Sequence, residues 1–171
     1  MQNIFLIGMP SSGKSTLGRE LAASLGYTFV DLDIRIAEDQ QMTIPELFGK
    51  FGEGYFREVE RRLLLGLPPD SGLLVATGGG APCFFDNMDF IKKAGLSIFL
   101  DVPAAELAGR IRAHARDDRP LLSGVSDLEA DLEARLNARR AFYERADLTI
   151  HAGTDIASLL QLLRNSLKHS R

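Results

Sequence analysis

The segment Gly8-Met9-Pro10-Ser11-Ser12-Gly13-Lys14-Ser15-Thr16 fits the pattern GxxxxGK[ST]; an apolar run, Asn3–Ile7, precedes it and a helix-forming stretch, Leu17–Leu25, follows. A loop that joins a strand end to a helix N-terminus gathers backbone N–H groups and the positive end of the helix dipole around one point, which makes an anion site. Lys14 can reach terminal phosphates as a point charge, and the Ser15 hydroxyl can ligate Mg²⁺. The segment therefore predicts a bound nucleoside triphosphate. Asp31 and Asp33 follow a second apolar stretch, residues 28–31. Alternate positions on a strand face one way, so the two carboxylates are expected to leave the strand end together. One could hold a water on Mg²⁺ while the other meets an acceptor hydroxyl. The plainer reading is a helix N-cap at Asp33.

Further candidates come later in the chain. Arg57 and Glu60 stand three apart in Phe56-Arg57-Glu58-Val59-Glu60, a spacing that lets the carboxylate orient the guanidinium on a helix, or simply forms a surface pair. Thr77-Gly78-Gly79-Gly80-Ala81-Pro82 follows a third apolar run, and consecutive glycines there let backbone pass close to a ligand or make a flexible turn. Arg110 follows Asp101-Val-Pro103 and could stack on a base or stay solvated. Arg119 sits in the polar segment Arg116–Gly124, which has the character of a lid over phosphates. On a helix over residues 127–146, Leu128, Leu132, Leu136 and Tyr143 fall within an arc of about 80°. Arg139 lies inside that stripe, Arg140 outside it and Arg135 at its edge. An inward Arg needs an anionic partner, either a bound carboxylate or an internal Asp or Glu.

The elements that must position these groups alternate. Strands are expected at 3–7, 28–31, 73–76, 97–101 and 148–151, with helices between them and a last helix over 155–167. A βα alternation with mostly apolar strands predicts a parallel sheet covered on both faces, with ligands at the carboxyl ends of the strands. Two insertions interrupt it, residues 33–66 and 112–124. The first holds a capping box, Thr43-Ile-Pro-Glu46, and Phe48 and Phe51 read as core. The chain has 171 residues, 45% apolar, with net charge −3. These values predict one soluble domain. The start reads as lacking a signal or transit peptide. A single cysteine, Cys83, allows no internal disulfide, and three scattered histidines give no zinc pattern; Cys83 reads as an apolar filler. Even the region 101–145 carries eight Arg against nine Asp and Glu, so no basic stripe points to nucleic acid. No apolar run suggests a membrane span, and no apolar stripe demands a partner, which favours a monomer.

The phosphate loop, Asp31-x-Asp33, Phe56-Arg57-x-x-Glu60, Gly78-Gly79-Gly80, Arg119-Pro-Leu-Leu and Arg139-x-x-x-Tyr143 together resemble the shikimate kinases in order and rough spacing. The resemblance spans residues 4 to about 152. It implies an α/β, three-layer P-loop fold of nucleoside-monophosphate-kinase type. The sheet would have five parallel strands in the order 2-3-1-4-5, flanked by helices, with a mobile lid. One kinase domain would cover residues 1–171, with the phosphate loop at 8–16, a substrate-binding insertion at about 33–66 and the lid at about 112–124. The implied reaction transfers the γ-phosphoryl of ATP to the 3-hydroxyl of shikimate, toward chorismate and the aromatic amino acids, in the cytoplasm.

By matching positions, Lys14, Asp33 and Arg119 would be catalytic. Gly8, Ser11, Ser12, Gly13, Lys14, Ser15 and Thr16 would bind ATP with Arg110 and Arg119, Arg110 packing on adenine. Asp33, Arg57, Gly78, Gly79, Gly80 and Arg139 would bind shikimate, Arg57 and Arg139 through its carboxylate. Ser15 and, through water, Asp31 would hold Mg²⁺. The chain departs from the family pattern at Ser11, where Gly is usual, at Arg140-Ala141, where Pro is frequent, and in His151–Asp155, from which no residue is carried over. Two other readings stay open. One is a gluconate or nucleotide kinase of the same fold, which would need neither the triple glycine nor an arginine pair. The other is a non-catalytic nucleotide-binding module, although no NKxD motif is present and no Asp has Gly three residues on.

Overall fold

The computed structural model describes residues 1–115 and 127–169. Five parallel strands form one sheet: β1 (Asn3–Ile7), β2 (Thr28–Asp31), β3 (Leu73–Ala76), β4 (Gly95–Asp101) and β5 (Leu148–His151). Their order is β2-β3-β1-β4-β5, as the resemblance implies. The helices are α1 (Lys14–Leu25), α2 (Leu32–Gln40), α3 (Ile44–Leu65), α4 (Asn87–Ala94), α5 (Ala104–Ala115), α6 (Leu128–Tyr143) and α7 (Ile156–His169), with a 3₁₀ turn at Ala81–Cys83.

The period of two along each strand divides the core. Ile4 and Leu6 of β1 join Leu74, Ile98, Leu21 of α1 and Leu163 of α7 on one face. Phe5 and Ile7 join Val75, Phe99, Leu47 of α3, Leu107 of α5 and Leu136 of α6 on the other. All five β1 residues are buried, because this strand has a neighbour on each side and helices above and below. β2 and β5 form the edges and are correspondingly more exposed. Among the described residues no helix is long and apolar enough to cross a membrane.

Several boundaries differ from the sequence reading. α1 starts at Lys14 rather than Leu17, because the loop's last residues already supply its first turn. β4 starts at Gly95, paired with Asn3. α6 is shorter than expected at both ends. The 33–66 insertion is a helical pair. The capping box at Thr43 and Glu46 is present, and α3 is broken at Gly52, whose φ of 79° and ψ of 175° no helix accepts. Phe48 packs on the core, but Phe51 does not: it is 45% exposed, immediately before that break, and its ring lies tilted against that of Tyr55. Of the expected lid, residues 112–115 continue α5, and the rest, Arg119 included, lies outside the described residues.

Candidate active site

The phosphate loop leaves β1 at the centre of the sheet and turns into α1. Gly8 has φ 143° and Gly13, the α1 N-cap, φ 95°; a Cβ on Gly8 would come within 2.7 Å of the Leu100 carbonyl oxygen. Ser11 is also left-handed, φ 63°, so the serine adopts the conformation that favours glycine at this point. Lys14 is buried and folds back over the loop, donating to the carbonyls of Gly8 (2.8 Å) and Met9 (2.7 Å) and to Ser12 Oγ (3.3 Å). Burial lowers its pKa to about 8, against the opposing pull of Asp33 and Asp31.

Asp31 and Asp33 do come together, but by a different route from the one expected. Asp31 ends β2 and is itself the α2 N-cap, accepting from the amides of Asp33 and Ile34. Asp33 stands in the first turn of the helix, so neither strand alternation nor a cap at Asp33 applies. The Asp31 carboxylate also accepts from Ser15 Oγ at 2.5 Å, which sets a hydroxyl and a carboxylate side by side at the start of α1. Asp33 opens to the cleft. Even so, the surrounding protein mass raises its pKa, and the charge of Asp31 adds to the rise.

β3 ends beside β1, where Thr77 bonds the Leu6 carbonyl through both its amide and its hydroxyl, each at 3.1 Å. The three glycines that follow are packed tightly on neighbouring side chains. A Cβ on Gly78 would meet Glu60 Oε1 at 2.6 Å and Asp33 Oδ1 at 2.9 Å; one on Gly79 would meet Pro10 of the phosphate loop. One on Gly80 would stand 2.8 Å from Arg57 Cζ. Arg57 is buried and donates to Glu60 Oε2 at 2.7 Å, the pairing its spacing suggests. It also donates to Glu53 from Nε and Nη2, at 3.3 and 3.2 Å, a partner the sequence reading missed although it lies one turn earlier. Glu60 is fully buried, its pKa is raised chiefly by that burial, and among the described residues its Oε1 has no hydrogen-bond partner.

From α6, Leu132, Leu136 and Tyr143 are buried and Arg139 is half-buried. Tyr143 donates to the Gly79 carbonyl at 2.6 Å and stacks on Phe99; burial raises its pKa to about 12. Arg139 reaches Met9 Sδ at 3.9 Å and is close enough to influence both Lys14 and Glu60. Among the described residues it has no carboxylate in salt-bridge range, so the internal-partner reading finds no support there. Arg140 turns the other way, toward Asp101 and Glu144. Cys83 is partly buried against the core, and burial raises its thiol pKa, consistent with a filler.

A cleft of about 770 Å³ runs along the loop. On the β2–β3 side it is bounded by Asp31, Asp33, Thr77 and Gly79, and on the β4–β5 side by Arg110, His114 and residues 150–154. Arg110 lies across the loop, bonded to the Ser11 carbonyl (3.3 Å) and to Glu106 (2.5 Å). Residues 151–154 form a turn closed by Thr154 on the His151 carbonyl. The sequence reading assigned nothing there. The available signal was position: the turn follows a strand's carboxyl end, where open α/β sheets bind ligands.

A phosphate loop on a parallel sheet, with two acidic residues and a buried arginine, Arg57, near it, defines a P-loop phosphotransferase of nucleoside-monophosphate-kinase type. A family model of shikimate kinase matches residues 10–168. A shikimate kinase of Parabacteroides distasonis is 40% identical over 154 residues, covering 89% of this chain and 88% of that one. The structure of shikimate kinase from Bacteroides thetaiotaomicron has a TM-score of 0.86 at 37% identity, covering 98% of each chain. That of the Acinetobacter baumannii enzyme in complex with shikimate has a TM-score of 0.83 at 35% identity, over 100% of this chain and 95% of that one. The chain belongs to the shikimate kinase family.

Proposed function

We propose that this chain transfers the γ-phosphoryl of ATP to the 3-hydroxyl of shikimate, giving shikimate 3-phosphate and ADP. Beyond family membership, the supporting observation is the acceptor side of the loop. There Arg57, Arg139, Asp33 and the triple glycine stand together, and Arg139 has no carboxylate partner among the described residues. Arg57 and Arg139 take the substrate carboxylate, the amides of Gly79 and Gly80 line its ring beside Gly78, and Asp33 faces the reacting hydroxyl. The hydroxyl proton passes to Asp33 as its oxygen bonds to the γ-phosphorus, and the bridging oxygen leaves with ADP. The raised Asp33 pKa makes that carboxylate a better base.

Residues 8–16 hold the phosphates, with Lys14 and Arg119 balancing charge that redistributes in the transition state. Arg110 and the 151–154 turn border the nucleoside. Ser15 directly and Asp31 through water offer adjacent hard oxygen groups that suit Mg²⁺. Among the described residues no group of three or more His, Cys, Asp or Glu could hold a metal alone, so the ion's remaining ligands would be phosphate oxygens and water. Bound there, Mg²⁺ supplies charge neutralisation on the nucleotide.

The same reading takes residues 1–171 as one monomeric, cytoplasmic kinase domain, with 33–66 on the acceptor side and a lid over 112–124. Nucleic acid and membrane are not among its partners. A coupled ADP-release assay with shikimate, quinate, gluconate and nucleoside monophosphates tests it. Shikimate should be strongly preferred; faster turnover of gluconate or a nucleotide would reassign the acceptor, and no turnover with any of them would favour a binding module.

A further inference from the structure

Arg57 has an aromatic neighbour that the mechanism above does not use. The Phe84 ring centroid lies 4.1 Å from Arg57 Cζ, nearer than that of Phe56 at 5.0 Å. A guanidinium over a ring at this range is held by the ring quadrupole without spending an N–H donor. The backbone of Gly80 lies against the same guanidinium, with room for no side chain. Gly80 and Phe84 flank the 3₁₀ turn Ala81–Cys83, so one short segment supplies both the glycine amides and the ring.

A second contact anchors this segment. Arg61, one turn along α3, has its Cζ 5.0 Å from the Phe85 ring and donates to Asp86 and Asn87. Phe85 is 59% exposed and has φ 53°, a conformation that a phenylalanine adopts only when neighbouring contacts hold it. Two arginines four apart on one helix thus meet two consecutive phenylalanines. Meanwhile the edges of Arg57 are occupied by Glu60, which is buried, and by Glu53, whose side chain is 56% exposed. A pull toward solvent from Glu53 is opposed by the ring.

We propose that Phe84 is a positioning residue for the acceptor: it fixes the plane of the Arg57 guanidinium so that the substrate carboxylate meets it without reorganisation. Pre-setting a long side chain in this way strengthens binding by removing an ordering cost. The inference rests on the reading that Arg57 takes the acceptor's carboxylate.

Phe84→Ala, Phe84→Leu, Phe84→Tyr, Phe85→Ala and Arg57→Ala, each in the full chain, test it by steady-state kinetics and shikimate calorimetry. Phe84→Ala should raise the shikimate KM and Kd about tenfold, leaving kcat and the ATP KM within about twofold. Phe84→Tyr should stay near wild type. Phe84→Leu, which keeps bulk without a π face, should resemble the alanine variant, and Phe85→Ala should change shikimate binding by less than about threefold. The Tyr and Leu pair decides the matter even where the alanine variant folds poorly. Equal rescue by Leu and Tyr, equal losses for Phe84→Ala and Phe85→Ala, or unchanged shikimate affinity in a folded Phe84→Ala would each overturn the proposal. Shikimate binding that survives Arg57→Ala would instead overturn the assignment of Arg57; binding lost there but kept in Phe84→Ala removes the role of Phe84 alone.

Discussion

Lys14 is poised between two environments. Its ammonium is buried on backbone carbonyls, and its pKa falls to about 8 from 10.5. Below about pH 8 it is charged and ready for phosphate; above, the free protein holds it neutral. Bound phosphates favour the charged form and raise the pKa again. Binding of ADP or a non-hydrolysable ATP analogue should therefore take up little proton at pH 7 and close to one at about pH 9, with affinity falling as pH rises through about 8. Calorimetry in buffers of differing protonation enthalpy measures the uptake, and equal values at both pH values would refute the buried-lysine picture. The loop itself was legible because its pattern is local: nine consecutive residues carry turn, helix start and charge. The left-handed Ser11 was not, since a serine gives no sign of positive φ. The Asp31–Asp33 pair was legible as a pair but not in geometry, because the helix begins one residue after the strand ends.

At the scale of elements, α6 shows how far periodicity reaches. The apolar stripe separates Arg139, which reaches Met9, from Arg140, which faces Asp101 and Glu144, and it buries Tyr143. What it could not tell is that the Tyr143 hydroxyl holds the Gly79 carbonyl across 64 positions of chain, since a helical wheel records a direction and no partner. This bond ties α6 to the glycine segment after β3. Tyr143→Phe keeps the stack on Phe99 and leaves the Gly79 carbonyl unpaired. A stability loss of roughly 1–2 kcal/mol is expected, together with a raised shikimate KM because the glycine amides lose a restraint. Chemical denaturation and kinetics read the two effects; wild-type values for both would show the bond to be incidental. Within the insertion 33–66, the start of α3 was legible from its capping box. Its break was harder to see, because Gly52 shares the stretch with Gly49 and Gly54 and only one of the three leaves the helix.

For the whole molecule, alternation of strands and helices in the sequence predicted a parallel sheet with its chemistry at the carboxyl ends. The order of the strands came with the family resemblance, because apolar runs do not encode their neighbours. That order decides function. It places β1 and its loop at the centre, β2 and β3 on the side proposed for the acceptor, and β4 and β5 on the side proposed for the nucleoside. Two ligands bound on opposite sides of one loop should each stabilise the native state, since neither site exists in the unfolded chain. At about 100 times its dissociation constant, a ligand adds roughly 2.7 kcal/mol, which in a chain of this size corresponds to a Tm rise of about 5–10 °C. Arg139 separates the two contributions. In the proposed reading it takes the substrate carboxylate, so its substitution by alanine removes that contact while leaving residues 8–16 unchanged. Arg139→Ala should keep its Tm shift with ADP and lose most of its shift with shikimate at the concentration that saturates the wild-type protein. Thermal denaturation with each ligand separately is sufficient. A variant that retains the shikimate shift, or loses the ADP shift as well, would move Arg139 out of the acceptor site and leave Arg57 as the sole carboxylate-binding arginine in the proposal.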